Sequence, residues 1–342
     1  MSPGPAVVSA PTEAWTVRAP WASLRLLGPA PAPLLDRLAP FSWHGDVGGR
    51  RAHAPLATIR FEPLDGCAST ALATDPGGAP LTLHQGQRGT IFEAGSGHLV
   101  VNHTRRVHYH VESGEVPTVR LCLGGGRPGI DAFQVIRGLL VGAGMRTGRL
   151  VPMHGAVLSL GGHGVLLAGG KDAGKTSFTL GLLSRGAKDA ALVANDKLLL
   201  DTVTLRAHGL PYAIAMQPGT LAQLPGLAGL PRRRVGERAL FWPADVAAAL
   251  GAGHRASVEL KEQWWCGLDL ARDGAALRPG GQCGRRFDPL AEFSSNLLPV
   301  WLLELLGLWA PEASPVVVDV PVYRLEGNPW RSWSPHPDNE LW

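Results

Sequence analysis

The chain has 342 residues, 45% hydrophobic and 18% charged, which is material for one large or two ordinary domains and excludes a disordered chain. A formal charge of +4 suits anionic ligands weakly and falls short of a dedicated nucleic-acid binder, and no apolar stretch reaches the roughly 18 residues of a membrane span. Cys67, Cys122, Cys266 and Cys283 form no Cys-x-x-Cys pair, so neither a zinc ribbon nor a redox pair is indicated and a reduced, cytoplasmic protein is expected.

Residues 1–40 are rich in Pro and Ala, lack the basic opening and apolar core of a signal peptide, and read as irregular. From about 55 to 125 the segments ATIRFEPL, LTLHQ, GTIFEAG, HLVVNH, RRVHYHVE and TVRLCLG are separated by Gly, Asp-Gly and Pro. They predict a mainly antiparallel β region, so residues 1–125 are assigned to a β-rich part suited to substrate recognition. His108 and His110 share a strand face there, but no third metal ligand accompanies them. GIDAFQVIRGLLVGAGMRTG is an amphipathic helix closed by glycine.

MHGAVLSL and HGVLLAG then read as two strands around GGHG, and KTSFTLGLLSRG as a helix, with Arg185 in its last turn and Gly186 at its C-cap. AALVA is a short buried strand ending at Asn195-Asp196, and KLLLD with TLRAHGLP is a hairpin. Further on, PGTLAQLPGL is loop and short helix, PADVAAALGAG a helix, and PRRRVGER a solvated basic loop, with an active-site lid or a clamp on an acidic substrate as the alternative use of its arginines. ASVELKEQWWCGLDL is a strand, NLLPVWLLELLGLW an apolar helix and SPVVVDVPVYRLEG a late strand. Residues 331–342 form a Pro- and Trp-rich tail.

Between the second of these central strands and its helix lies Gly169-Gly170-Lys171-Asp172-Ala173-Gly174-Lys175-Thr176, followed by Ser177: a complete G-x-x-x-x-G-K-[ST]. Its glycines let successive backbone N–H groups turn inward as an anion nest, and the helix opening at Lys175 adds its positive end. Lys175 can span the β- and γ-phosphates of ATP, and the Thr176 hydroxyl can take one position on Mg²⁺. Asp196, at the end of the next strand, stands where a second Mg²⁺ ligand or a base would be placed. Lys197 follows it and either pairs with it or reaches a phosphate, or stands solvated at the strand end, the reading favoured here.

The segment MHGAVLSLGGHGVLLAGGKDAGKTSFTLGLLSRGAKDAALVANDKLLL resembles the core of the HPr serine kinase/phosphorylase family. The shared features are the Met-His-Gly strand, the phosphate loop with its helix, and an acidic pair after a short apolar strand. The resemblance implies an α/β fold with an HPr-kinase/PEP-carboxykinase-like P-loop core over residues 126–330. It also implies an ATP- and Mg²⁺-dependent kinase that acts on a hydroxyl. By that resemblance Lys175 and Thr176 serve the phosphates and Mg²⁺, Asp196 is the second acid of the pair, and His154 is the histidine beside the phosphate loop. Asn195 stands where the family has the Asp that exchanges a proton with the acceptor. An amide cannot do that, so Asp196 serves both roles, another group is the base, or catalysis is weak. The acceptor is expected to be a peptide, a protein or a small molecule, with peptides of secondary-metabolite pathways among the targets of relatives. No nucleic acid or membrane is expected as partner, and self-association is left open.

Overall fold

The computed structural model describes residues 14–28, 34, 38, 54–64, 77–83, 86–123, 129–186, 189–280, 286–287, 299–309 and 316–334. Among these the chain is mixed α/β, with several sheets and few helices. The first strands are β1 (Ala14–Ala19), β2 (Ala22–Leu27), β3 (Ala57–Pro63), β4 (Ala79–Thr82), β5 (Arg88–Ala94), β6 (Gly97–Asn102), β7 (Val107–Glu112) and β8 (Thr118–Leu123). Helix α1 (Gly129–Arg146) precedes β9 (Leu150–His154), β10 (Ala156–Leu160), β11 (His163–Ala168) and α2 (Lys175–Ser184). Next come β12 (Ala191–Ala194), β13 (Lys197–Asp201), β14 (Arg206–Gly209), β15 (Ile214–Met216), α3 (Pro218–Ala222), β16 (Arg233–Val235), β17 (Arg238–Phe241) and α4 (Pro243–Ala249). The remainder is β18 (Gly253–His254), β19 (Ser257–Leu268), β20 (Gly274–Pro279), β21 (Arg286–Phe287), α5 (Val300–Leu305), β22 (Val316–Val317), β23 (Val322–Gly327) and β24 (Ser332–Ser334). Among the described residues, those up to 143 together with 299–309 form one compact unit, and the others from 144 onward form a second.

In the first unit the strands make one sheet in the order β1-β2-β3-β8-β7-β6-β5-β4. The β2–β3 and β3–β8 pairings are parallel and the rest antiparallel. Strands β1 and β2 lie in the stretch expected to be irregular. Val17 and Ala19 are buried between exposed Thr16 and Arg18, a period-two pattern hidden in the sequence by the surrounding Pro and Ala. The β7 ring of Tyr109 meets Trp301 of α5 edge-on at 5.1 Å. Tyr109 Oη and Arg105 both donate to buried Asp131 in the first turn of α1, each at 3.2 Å. Cys122 is disulfide-bonded, against the expectation of reduced thiols, because spacing in the sequence does not reveal which cysteines a fold brings together. Cys266 is free and buried.

In the second unit an eleven-stranded sheet has the main order β18-β12-β10-β11-β19-β14-β13-β9, with β20, β23 and β24 joined beside β19. Strand β19 is the organiser: it pairs with β14 antiparallel near its start, with β11 parallel in its middle and with β23 parallel toward its end. The sequence MHGAVLSL, expected to be one strand, breaks at Gly155. Strand β9 before the break pairs with β13, and β10 after it pairs with β12. A Cβ on Gly155 would lie 2.8 Å from Leu166 Cδ1 and 3.1 Å from the Leu167 carbonyl, so the bend needs a residue without one. The stretch from β12 to β13 bends beside it at Asn195-Asp196, and the Gly155 N–H donates to the Asp196 carbonyl at 3.2 Å. A small sheet, β15-β17-β16, packs Ile214, Met216, Ala239 and Phe241 into the same core as Phe178 of α2. The segment PRRRVGER therefore forms a hairpin rather than a loop. Among the described residues no helix is long and apolar enough to cross a membrane.

Candidate functional site

The loop from Gly169 to Gly174 connects β11 to α2. Its backbone takes positive φ at Gly169 (146°), Asp172 (63°) and Gly174 (87°), turning the chain tightly before the helix starts. Gly174 is the helix N-cap and offers no side chain, so the first-turn N–H groups of α2 have no side-chain cap. Loop residues Gly170, Lys171 and Asp172 are exposed, and nothing lies within 4 Å of where a Gly170 Cβ would be. Within the loop the Ala173 N–H donates to the Gly170 carbonyl at 3.3 Å. The cradle is held from outside: the Leu268 N–H, at the end of β19, donates to the Ala173 carbonyl at 3.2 Å. Helix α2 is buried from Ser177 to Leu183, which fixes its orientation.

Lys175 folds over the loop and donates from Nζ to the carbonyls of Gly169 (2.9 Å) and Gly170 (3.0 Å). Thr176 is partly exposed at the start of α2. Ser177 is buried, with its Oγ 3.5 Å from Thr220 Oγ1 in α3. The sequence reading gave Thr220 no part in the site; its only signal there is the Pro-Gly-Thr start of a short helix.

Asp196 occupies the corner between β12 and β13 with φ of 84°, a left-handed conformation that Asp tolerates better than most residues. His154 Nε2 lies 2.8 Å from Asp196 Oδ1, and Lys197 Nζ 3.9 Å from Oδ2. Burial pushes the Asp196 carboxyl up. The His154 hydrogen bond and the charges of Lys197, His154 and Lys175 outweigh it, and hold the group below the usual carboxylate range. Lys175 of the loop thus acts electrostatically on the carboxylate of the corner. Lys197, expected to be solvated, has a side chain only 3% exposed, because the β13 register points it inward opposite His154. Asn195 is buried, and its Oδ1 has no hydrogen-bond partner among the described residues.

The opposite end of the β9–β13 ladder is clamped by a two-pronged ion pair. Arg149 Nε donates to Asp201 Oδ1 at 2.8 Å, and Arg149 Nη2 meets Oδ2 at 2.7 Å. Burial raises the Asp201 carboxyl, but Arg149 and the N–H groups of Val203 and Thr204 bring it down to about 2.

No protein-family model matches the chain, and no curated protein matches it in sequence. Among solved structures it has a likeness to the HPr(Ser) kinase/phosphatase from Coxiella burnetii, at 15% identity over 51% of this chain and 83% of that one. The TM-score is 0.25, and a likeness of that size carries no argument for fold or activity.

His154, Asp196 and Lys197 are thus in contact around one carboxylate, and Gly169–Ser177 form the cradle beside β11. His108 and His110 stay in β7 of the first unit, and no cluster of three or more His, Cys, Asp or Glu that could hold a metal occurs among the described residues.

Proposed function

We propose that the protein is an ATP-dependent kinase with an HPr-kinase-like phosphate-binding core, moving the γ-phosphate to a hydroxyl on a peptide, a protein or a small metabolite. The observation that carries this is the contact of His154 and Lys197 with the single carboxylate of Asp196, while Lys175 folds over the Gly169–Gly174 loop. The loop N–H groups and the first turn of α2 would take phosphate oxygens, and Lys175 would leave the carbonyls of Gly169 and Gly170 for the β- and γ-phosphates. Thr176 and Asp196 fit Mg²⁺, since the Asp196 carboxyl is held ionised. Phosphate oxygens and water would supply its remaining ligands. Bound ATP with Mg²⁺ supplies the phosphoryl group and neutralises its charge.

His154 orients Asp196 and steadies its charge. Asn195 cannot take the acceptor proton, and its Oδ1 is closed to solvent, which leaves Asp196 as the nearby base. Phosphoryl transfer depends mostly on positioning and electrostatics, so a weak base does not abolish it.

A second reading, a nucleotide-binding regulatory or scaffold protein with little catalysis, is favoured by Asn195 in the place of an acid. Two measurements separate these. Calorimetry should show ATP·Mg²⁺ binding that weakens about tenfold or more in Lys175→Ala, the loss of a charge-assisted phosphate contact. Incubation with γ-labelled ATP and candidate peptides should label a Ser or Thr. Equal ATP affinity in wild type and Lys175→Ala would sink both readings, and binding without any labelled acceptor would favour the second.

A further inference from the structure

The β16–β17 hairpin is the most exposed basic feature of the second unit. Every residue from Arg232 to Arg238 is exposed, and the two strands turn through Gly236-Glu237 between the paired Val235 and Arg238. Strand alternation places Arg233 on one face with Val235 and its partner Arg238, and Arg234 on the other. Val235 is 52% exposed, one of the few large apolar side chains left so open. Among the described residues neither Arg233 nor Arg234 meets a carboxylate.

Strand β16 is also an edge. In the order β15-β17-β16 its outer row of N–H and C=O groups faces no strand among the described residues. Charges on an edge ordinarily block pairing with other chains. Here the charge is nearly all of one sign, so it repels a second copy of the same edge and attracts an acidic strand. The hairpin is fixed at its base: Ala239 and Phe241 of β17 and Met216 of β15 are buried in the core that holds Phe178 of α2. Arg234 pairs with Ala239, and Ala239 with Met216, so Arg234 sits two strand spacings, about 10 Å, from Met216. Met216 leads directly into α3, whose Thr220 hydroxyl reaches Ser177 at the foot of the phosphate cradle. A few extended residues, at about 3.3 Å each, cover such a distance.

We propose that β16 is the docking edge for the acceptor, an extended acidic polypeptide segment that adds as a strand beside Arg233-Arg234-Val235 and sets its carboxylates against Arg233 and Arg234. This rests on the phosphotransfer reading for the word acceptor, and it narrows that reading from any hydroxyl to a Ser or Thr in an acidic stretch of chain. Nucleic acid fits less well, since the segment from Arg232 to Leu240 offers no aromatic ring for stacking a base.

The test uses the full chain without nucleotide and a labelled twelve-residue peptide of alternating Glu and Val with one Ser, followed by fluorescence anisotropy. It should bind about tenfold or more tightly than the same peptide with Lys for Glu, and lose affinity between low and moderate salt. Arg233→Gln with Arg234→Gln should weaken it about tenfold, while the corresponding Lys pair retains most of the binding and both variants melt with the wild type. N-methylation of alternate peptide amides should abolish binding in one of its two phases, because an added strand pairs through every second residue. Unchanged affinity in the Gln pair, indifference to N-methylation in both phases, or a thymidine oligonucleotide binding as tightly as the acidic peptide would each overturn the proposal. ATP affinity is read on the same samples by calorimetry. Loss of nucleotide binding with intact peptide binding condemns the kinase reading and leaves the docking edge, and the reverse result condemns the docking edge alone.

Discussion

Replacing Gly174 by Ala tests how the cradle is held. Gly174 has φ of 87°, where an L-residue with a Cβ costs roughly 1–2 kcal/mol. The new Cβ would also lie 2.6 Å from Leu268 Cβ, 3.2 Å from its Cγ and 3.3 Å from its Cδ1. The nearest of these atoms is anchored to the backbone of β19, which is fastened to the loop by the Leu268–Ala173 hydrogen bond, so it cannot swing aside. Overpacking of this kind costs roughly 1–3 kcal/mol, and the two effects together give about 3 kcal/mol. Denaturant-dependent hydrogen exchange of α2 peptides measures the loss where it arises, without assuming that both units unfold together. The second substitution separates the terms. Leu268→Ala keeps the offending Cβ and should relieve little, whereas Leu268→Gly removes it and should recover the steric share, leaving the roughly 1–2 kcal/mol of the backbone term. Gly174→Ala matching the wild type, or a Leu268→Gly cycle with coupling within about 0.5 kcal/mol of zero, would show that Leu268 does not limit this turn.

Asp196→Asn should lower melting, since the His154 and Lys197 charges lose this carboxylate, and, assayed well below that transition, should cut transfer by a factor on the order of 10² or more through loss of a charge at the metal and phosphate; equal turnover would remove Asp196 from the chemistry. Asn195→Asp should bring a second carboxyl into a buried place beside Asp196, so the pH dependence of transfer should shift upward, and an unchanged profile would mean that the two side chains do not interact. For Asp201 the folded value of about 2 lies below the ordinary 3.8, so its contribution is complete above about pH 4 and fades as the pH falls toward 2. Arg149 is half-exposed, so solvent screening makes that contribution small. Acid unfolding of Asp201→Asn should lack this component, and superimposable acid transitions would show that the clamp contributes nothing.

What could be read in the sequence was what neighbours in the chain decide. Strands β3 to β8 are marked by alternating Val, Ile, Leu and Tyr between turn residues, and α1 and α2 by their apolar content and closing glycines, although α1, expected to be amphipathic, is buried almost all round from Asp131 to Met145. The hairpin at Arg233–Arg238 was signalled too, by Gly-Glu between two short runs, but the density of arginine suggested solvated loop. What could not be read was decided by residues far apart. MHGAVLSL keeps its strand pattern straight through Gly155, and the break there shows only in the pairing, β9 with β13 before it and β10 with β12 after it. The same bend turns Lys197 inward: a lysine after an acid looks solvated until β13 is laid against β9, and His154 comes opposite it. His154 and Asp196 are 42 positions apart in the chain and 2.8 Å apart in space because two adjacent strands bend at the same level. Asn195 carries the argument furthest. As a letter it is an acid replaced by an amide, which suggests only loss. Its place is a buried corner where Oδ1 has no partner, a position costly to leave unfilled, and a group that donates a hydrogen bond there would recover that cost. A hydroxyl is one such donor and a water molecule another, so the amide marks a polar corner and names no acceptor.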